Sequence, residues 1–301
     1  MPHPLPTPLS GLGPRSPSRT VTVGFDGSAE SLAAVAWAAD EARRRGLPLR
    51  LLHVWGVEPD VHALPAGPGV RHHHSAADPR TTAERVRRTH PDLEVVTRER
   101  CGERAAVLCE AAGEADLLVL GSRRPGGLTG LVVGSVAWAV VARTRHPVVL
   151  AGGPEPMPEG DVVLGLDLSH PCDEVLEFAF SQACRLGAPL RVIHSPRPSG
   201  GCGPDAAEAA AAMAPGAAAA ATARTLARVI DQWRHAFPGL RVTGEIRPGH
   251  PGRHLLEASR AAVLVVIGRR NRDSRLGPHA GAVTRTMLHR CRTPMAVVPH
   301  E

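Results

Sequence analysis

The chain has 301 residues, 43% of them hydrophobic, with 35 Lys and Arg against 29 Asp and Glu, a formal charge of +6. That length suits two domains of ordinary size, each able to bury its own core. No apolar run approaches the roughly 20 residues that span a bilayer, no leader-like charged and apolar opening is present, and Arg is spread along both halves rather than gathered into the basic face that DNA binding needs. The expectation is therefore no membrane, no nucleic acid and a cytoplasmic location.

Residues 1–19 are rich in Pro, Ser and Gly and read as a disordered tail. Thr20 to Phe25 is a β-branched run and hence a strand, closed by Asp26-Gly27-Ser28. A helical pattern follows at once, with Leu32, Val35, Ala36 and Ala39 on one face and Arg43-Arg44-Arg45-Gly46 at its end. Pro48 to Val54 reads as a strand covered on both faces. From Gly56 to Pro79 the periodicity gives way to Pro, Gly and His. A helix near Thr81 to Arg88, a strand at Leu93 to Arg98, a helix at Arg104 to Ala112 and a strand at Asp116 to Leu120 come next. A glycine-rich stretch then leads into a helix from Ser135 to about Arg143 and a closing strand at Val148 to Leu150. Alternating strands and helices with buried strands predict a doubly wound parallel sheet.

The pattern then repeats. After a Gly- and Pro-rich linker at 152–159, Asp167 stands 141 residues beyond Asp26, and Pro189 to His194 stands 141 beyond Pro48 to His53. Gly268 lies 147 residues beyond Gly121, and a second closing strand runs over Met295 to Val298. Landmarks repeated in one order indicate an internal duplication. The fold class expected is α/β: two tandem doubly wound, Rossmann-like domains with parallel five-stranded sheets, over 20–151 and 160–301. The second half carries an Ala-rich insert from Ala206 to Ala223, which Pro215-Gly216 is expected to split.

In an open parallel sheet, ligands sit beyond the carboxyl ends of the strands. Three features meet there in each half: the Asp after the first strand, the end of the second strand, and the Gly loop after the fourth. A loop leading into a helix offers backbone N–H groups and the positive end of the helix dipole to an anion. Glycine serves such a loop by close backbone approach or by positive φ. Ser135 supplies a further donor or caps its helix, and Arg123 supplies a charge-assisted bond to phosphate.

With these residues in place the chain resembles a tandem universal stress protein, and the likeness covers residues 20 to 301. Nucleotide-binding members of that family carry a loop of the form G-x-x-G, nine residues, then G-[S/T]. Here the first half gives Gly121-Ser-Arg-Arg124, nine residues, then Gly134-Ser135. The second gives Gly268-Arg-Arg-Asn271, nine residues, then Gly281-Ala282. Arg124 and Asn271 thus replace the second Gly, and Ala282 replaces the hydroxyl; Asn still tolerates positive φ. The resemblance implies an adenine nucleotide, ATP with or without Mg²⁺, as ligand. The implied contacts in the first half are Gly24, Phe25, Asp26, Val54, Leu120, Gly121, Arg123, Arg124, Gly134, Ser135 and Val136. In the second they are Asp167, Gly268, Arg270, Asn271, Gly281, Ala282 and Val283. Val54 would stand near the adenine, with Ser195 as its counterpart.

No catalytic residue and no metal ligand is nominated. His72-His73-His74 on a Pro- and Gly-rich tract has no fixed geometry for a metal. The six Cys lack a C-x-x-C pair and are read as small apolar residues. His53 and His194, at matched strand ends, are read as packed and hydrogen-bonded. The reading is a nucleotide-binding stress-response module that acts through unidentified protein partners, with a nucleotide-free interaction scaffold or a slow ATPase as the alternatives. The closing strands are expected to pair the two halves as a pseudo-dimer, with a homodimer of chains as a second expectation.

Overall fold

Ten strands hydrogen-bond into one sheet in the computed structural model, in the order β3-β2-β1-β4-β5-β10-β9-β6-β7-β8. The structure describes residues 19–56, 78–122, 134–152, 159–196, 215–271 and 281–301. The first half runs β1 (Val21–Phe25), α1 (Ala29–Arg45), β2 (Leu49–Trp55), α2 (Pro79–Thr89), β3 (Val95–Cys101), α3 (Arg104–Glu114), β4 (Leu117–Gly121), α4 (Ser135–Arg143) and β5 (Val148–Ala151). The second runs β6 (Asp161–Gly165), α5 (Asp173–Leu186), β7 (Leu190–His194), α6 (Pro215–Arg234), β8 (Val242–Ile246), α7 (Pro251–Ser259), β9 (Ala262–Arg270), α8 (Ala282–Arg290) and β10 (Met295–His300).

Within each half every strand pair is parallel. The halves join where β5 and β10 run antiparallel, with Met295 opposite Leu150 and Val297 opposite Val148. Alternate side chains of each strand feed one of two cores. Val21, Val23, Leu49 and Leu51 pack under α1 and α2, with Val162, Leu164, Leu190 and Val192 under α5 and α6. Leu118, Leu120, Val148 and Leu150 pack under α3 and α4, with Val265 and Ile267 under α7 and α8. With so few aromatics the helices lie close to the sheet on small residues: α1 buries Ala34, Val35, Ala38, Ala39 and Ala42.

Local signals explain the ends. Ser28 caps α1 by accepting from the Ser31 N–H, and Gly46 ends it at φ +62°. Gly187 ends α5 in the same way at φ +63°. Pro215-Gly216, within the Ala-rich insert, stands as the first two residues of α6, where proline's missing N–H and fixed φ do no harm. Two expectations need correction. Ala36 is exposed, because the face of α1 that meets the sheet is centred on Ala34 and Ala38 instead. Among the described cysteines Cys291 alone is buried, whereas Cys101 and Cys184 are exposed. The tail to residue 18, the His72-His73-His74 tract, residues 153–158 of the linker and 206–214 of the insert lie outside the described residues. No described helix is long and apolar enough to cross a membrane.

Candidate functional site

The strand order 3-2-1-4-5 places a crevice between the carboxyl ends of β1 and β4, and its mate lies between β6 and β9. Because β5 and β10 are antiparallel, these two crevices lie at opposite ends of the common sheet.

In the first crevice, Gly24 and Phe25 end β1. A Cβ on Gly24 would come within 2.7 Å of Leu120 Cδ2, so the glycine lets β1 and the buried Leu120 meet. The Phe25 carbonyl lies 2.8 Å from His53 Nδ1, and the Leu166 carbonyl lies 3.0 Å from His194 Nδ1. Both histidines therefore brace the end of the neighbouring first strand. Asp26 is exposed, and its Oδ1 accepts from the Ser28 N–H at 3.0 Å and the Ser28 hydroxyl at 2.5 Å. Partial burial would raise the Asp26 pKa, but hydrogen bonds from Ser28 and Ser31 outweigh it and hold the carboxyl below its ordinary value. Gly27, at φ +78°, makes the turn possible.

Gly121 ends β4 against the first turn of α1: a Cβ there would lie 2.8 Å from the Glu30 carbonyl carbon and 2.9 Å from the Ser31 nitrogen. The fold thus brings the Asp26 turn and Gly121 together. Gly134 is the N-cap of α4 at φ −67°, and no side chain caps the helix. Ser135 is its exposed first residue, so its hydroxyl does not serve as the cap, and Val136 is half-buried beside the core. Among the described residues no side-chain cap bond is made at the first turn of α4, which suits an anion. Val54 is buried in the core cluster that also holds Val107 and Leu108.

The second crevice is built on the same plan with altered parts. Asp167 is exposed and its Oδ1 accepts from the Ser169 N–H at 3.0 Å. Gly281 caps α8 at φ −60° with no side-chain bond; Ala282 is exposed and Val283 half-buried. Here β9 runs past Gly268, with Arg269 and Arg270 paired to Pro299 and His300. The Asn271 N–H donates to the His300 carbonyl at 2.6 Å, and its Oδ1 accepts from Arg269 at 2.8 Å. The Gly268 to Asn271 segment is therefore largely strand, because β10 extends to His300 and supplies partners.

Of the two expected roles for the loop glycines, positive φ is not the one they play. Among the described residues the positive-φ glycines are 27, 46, 102, 187, 239 and 249, so Gly121, Gly134, Gly268 and Gly281 are not there for left-handed backbone. Close approach explains Gly121, and a Cβ on Gly281 would meet no atom of the described residues within 4 Å. Arg123 and Arg124 lie outside the described residues. Two residues escaped the sequence reading. The Arg104 guanidinium lies against the Gly56 backbone beyond β2, 3.1 Å from where a Cβ would stand. His254 Nδ1 lies 2.9 Å from Ser195 Oγ. Matching Val107 to His254 at the later offset of 147 would have found the second. No group of three His, Cys, Asp or Glu able to hold a metal occurs among the described residues.

Residues 17–151 and again 160–299 match the model of the universal stress protein family. The chain belongs to that family. A universal stress protein of Mycolicibacterium smegmatis is 30% identical over 298 residues, covering 92% of this chain and 96% of that one. A universal stress protein of Mycobacterium tuberculosis is 28% identical over 295 residues, covering 92% and 96%. A solved universal stress protein from Archaeoglobus fulgidus shares the fold at TM-score 0.63 and 17% identity, covering 95% of this chain and 100% of that one. A shorter universal stress protein of that organism, solved in complex with dAMP, has a TM-score of 0.31, 21% identity and coverage of 47% and 98%.

Proposed function

We propose that this universal stress protein is a nucleotide-binding regulatory module that takes ATP, with or without Mg²⁺, in the crevice between β1 and β4 and in its mate between β6 and β9. The observation that carries the reading is the meeting of the Asp26 turn with Gly121, which is seated on the first turn of α1; the start of α4 at Gly134-Ser135, with no side-chain cap, follows in the same loop frame. A carboxylate with a lowered pKa stays ionised at neutral pH and accepts hydroxyl hydrogens, as a ribose would offer. Bare N–H groups and the helix dipole suit phosphate. The working units are residues 20–151 and 160–301 about the 152–159 linker, in a cytoplasmic protein that passes its ligand state to protein partners rather than turning over substrate quickly.

Calorimetry of the purified chain with ATP and Mg²⁺ tests this. Binding weakened at least tenfold by Asp26→Ala and by Gly134→Asp is expected. No heat, together with no adenine nucleotide released from gently purified protein, would refute it. A second reading, a nucleotide-free scaffold, is favoured in the second half by Asn271, whose N–H and side-chain oxygen are already engaged. Partner capture unchanged by nucleotide would support that reading.

A further inference from the structure

Positions 54 and 107 of the first half are both valine, and both are buried in one core cluster beyond the crevice. The matching positions of the second half, 141 and 147 residues on, are Ser195 and His254. Parts of the frame around them are the same, although Trp55 and Arg104 give way to Pro196 and Pro251. Gly102 and Gly249 both have positive φ, at 151° and 122°. Leu108 packs on Gly24 as Leu255 packs on Gly165. Into this matched frame the second half puts a hydrogen-bonded pair, Ser195 Oγ 2.9 Å from His254 Nδ1, with both residues half-buried rather than enclosed.

The chemistry of the two walls differs. Valine pairs favour any flat apolar ring by contact alone, with little preference among ring edges. A hydroxyl and a neutral imidazole bring two donors and three acceptors between them, and their mutual bond uses one of each. Whichever atom carries the shared hydrogen, at least one donor and one acceptor are left outside that bond. A ligand edge that cannot match them leaves polar groups dry, and sites of that kind reject the mismatched ligand far more strongly than apolar pockets do.

We infer that Ser195 and His254 determine ligand choice in the second half, making it a site selective for the hydrogen-bonding edge of a heterocyclic base, while Val54 and Val107 leave the first half permissive. The inference rests on the nucleotide reading above. Its test is calorimetry of the full chain with ATP, ITP, GTP and the triphosphate of unsubstituted purine riboside. The first-half class is identified as the one lost in Gly134→Asp. In the wild type, second-half affinities spread at least tenfold across the panel and first-half affinities stay within about threefold. The double variant Ser195→Val, His254→Val, which copies the first half, collapses the second-half spread and leaves the first-half class unchanged. Ser195→Ala, a smaller change, narrows it in the same direction. An unaltered spread in the folded double variant overturns the inference, as does nucleotide binding that Gly134→Asp abolishes completely. No nucleotide bound by the wild type at all overturns the nucleotide reading itself, and this inference with it.

Discussion

Glu41 and Gln182 hold the same position in their respective repeats, 141 residues apart, and they touch: Gln182 Nε2 donates to Glu41 Oε1 at 2.8 Å with both residues fully buried. The contact joins α1 to α5 across the pseudo-twofold between the halves. Arg45 Nε donates to the same Glu41 oxygen at 2.6 Å, and Arg45 in turn pairs with Asp116. A buried carboxylate needs such partners. Gln182→Glu sets a second carboxylate against Glu41 and should cost about 3 kcal/mol or more. Gln182→Met removes one hydrogen bond to a charged group and should cost about 1–3 kcal/mol. Urea unfolding of the two variants checks the order, and equal midpoints would count against a charge-sensitive seam.

Gly121 and Gly281 occupy loop-frame positions yet should respond differently to alanine. At Gly121 the added methyl meets the backbone of Glu30 and Ser31, which cannot move without shifting α1. Gly121→Ala should destabilise by about 1–3 kcal/mol and weaken first-half ligand binding. At Gly281 no atom of the described residues lies within 4 Å of an added Cβ and φ is ordinary, so the stability of Gly281→Ala should match the wild type. Thermal melts of both variants decide the point.

Arg269 is 5% exposed and crosses between the halves to donate to the Thr144 carbonyl, the C-cap of α4. Burial pushes the guanidinium pKa down, although it remains a cation. A cation at a helix C-terminus is favoured by the dipole. Arg269→Met relieves a buried charge but strands the Thr144 carbonyl, and Thr144 is itself 3% exposed. A loss of about 1–3 kcal/mol is expected, read by denaturant unfolding; a gain would mean that desolvation of the cation dominates.

Asp26 gives a pH test. Its folded pKa lies below the unfolded value of about 3.9. Its contribution is therefore fully present above about pH 4 and fades as pH falls through the lower folded value. Because the group is exposed, the gap between wild type and Asp26→Asn should stay under about 1 kcal/mol. Melts at pH 7, 5 and 3 should show a steady gap at the first two and a smaller one at the third. A gap undiminished at pH 3 would assign the effect to the altered turn instead of the charge.

Much of this architecture was legible because the duplication repeats side chains with direct physical meaning. Ser28 and Gly46 bound α1, and α4 spans Ser135 to Arg143 as the pattern indicated. Less legible was anything decided by a partner distant in sequence. The extension of β9 to Arg270 depends on β10 reaching His300, which no local pattern of residues 262 to 270 encodes. The Ser195–His254 pair was hidden because the repeat offset changes from 141 to 147 between its two members. The reason for Gly121 was visible only once α1 lay across it, since a glycine alone does not say whether space or dihedral angle requires it.

The antiparallel seam of β5 and β10 has a further consequence. A junction formed within one polypeptide has no dissociation equilibrium to dilute, so its two sides stay together at any protein concentration. Neither side has to be self-complementary, as a dimer of identical chains requires. One repeat is free to keep Glu41 where its mate carries Gln182, or Val54 where its mate carries Ser195. The strands left at the rim are β3, with Arg98, Glu99 and Arg100, and β8, with Glu245. Charges on rim strands oppose further sheet-to-sheet growth, which directs any association between chains toward the helical faces.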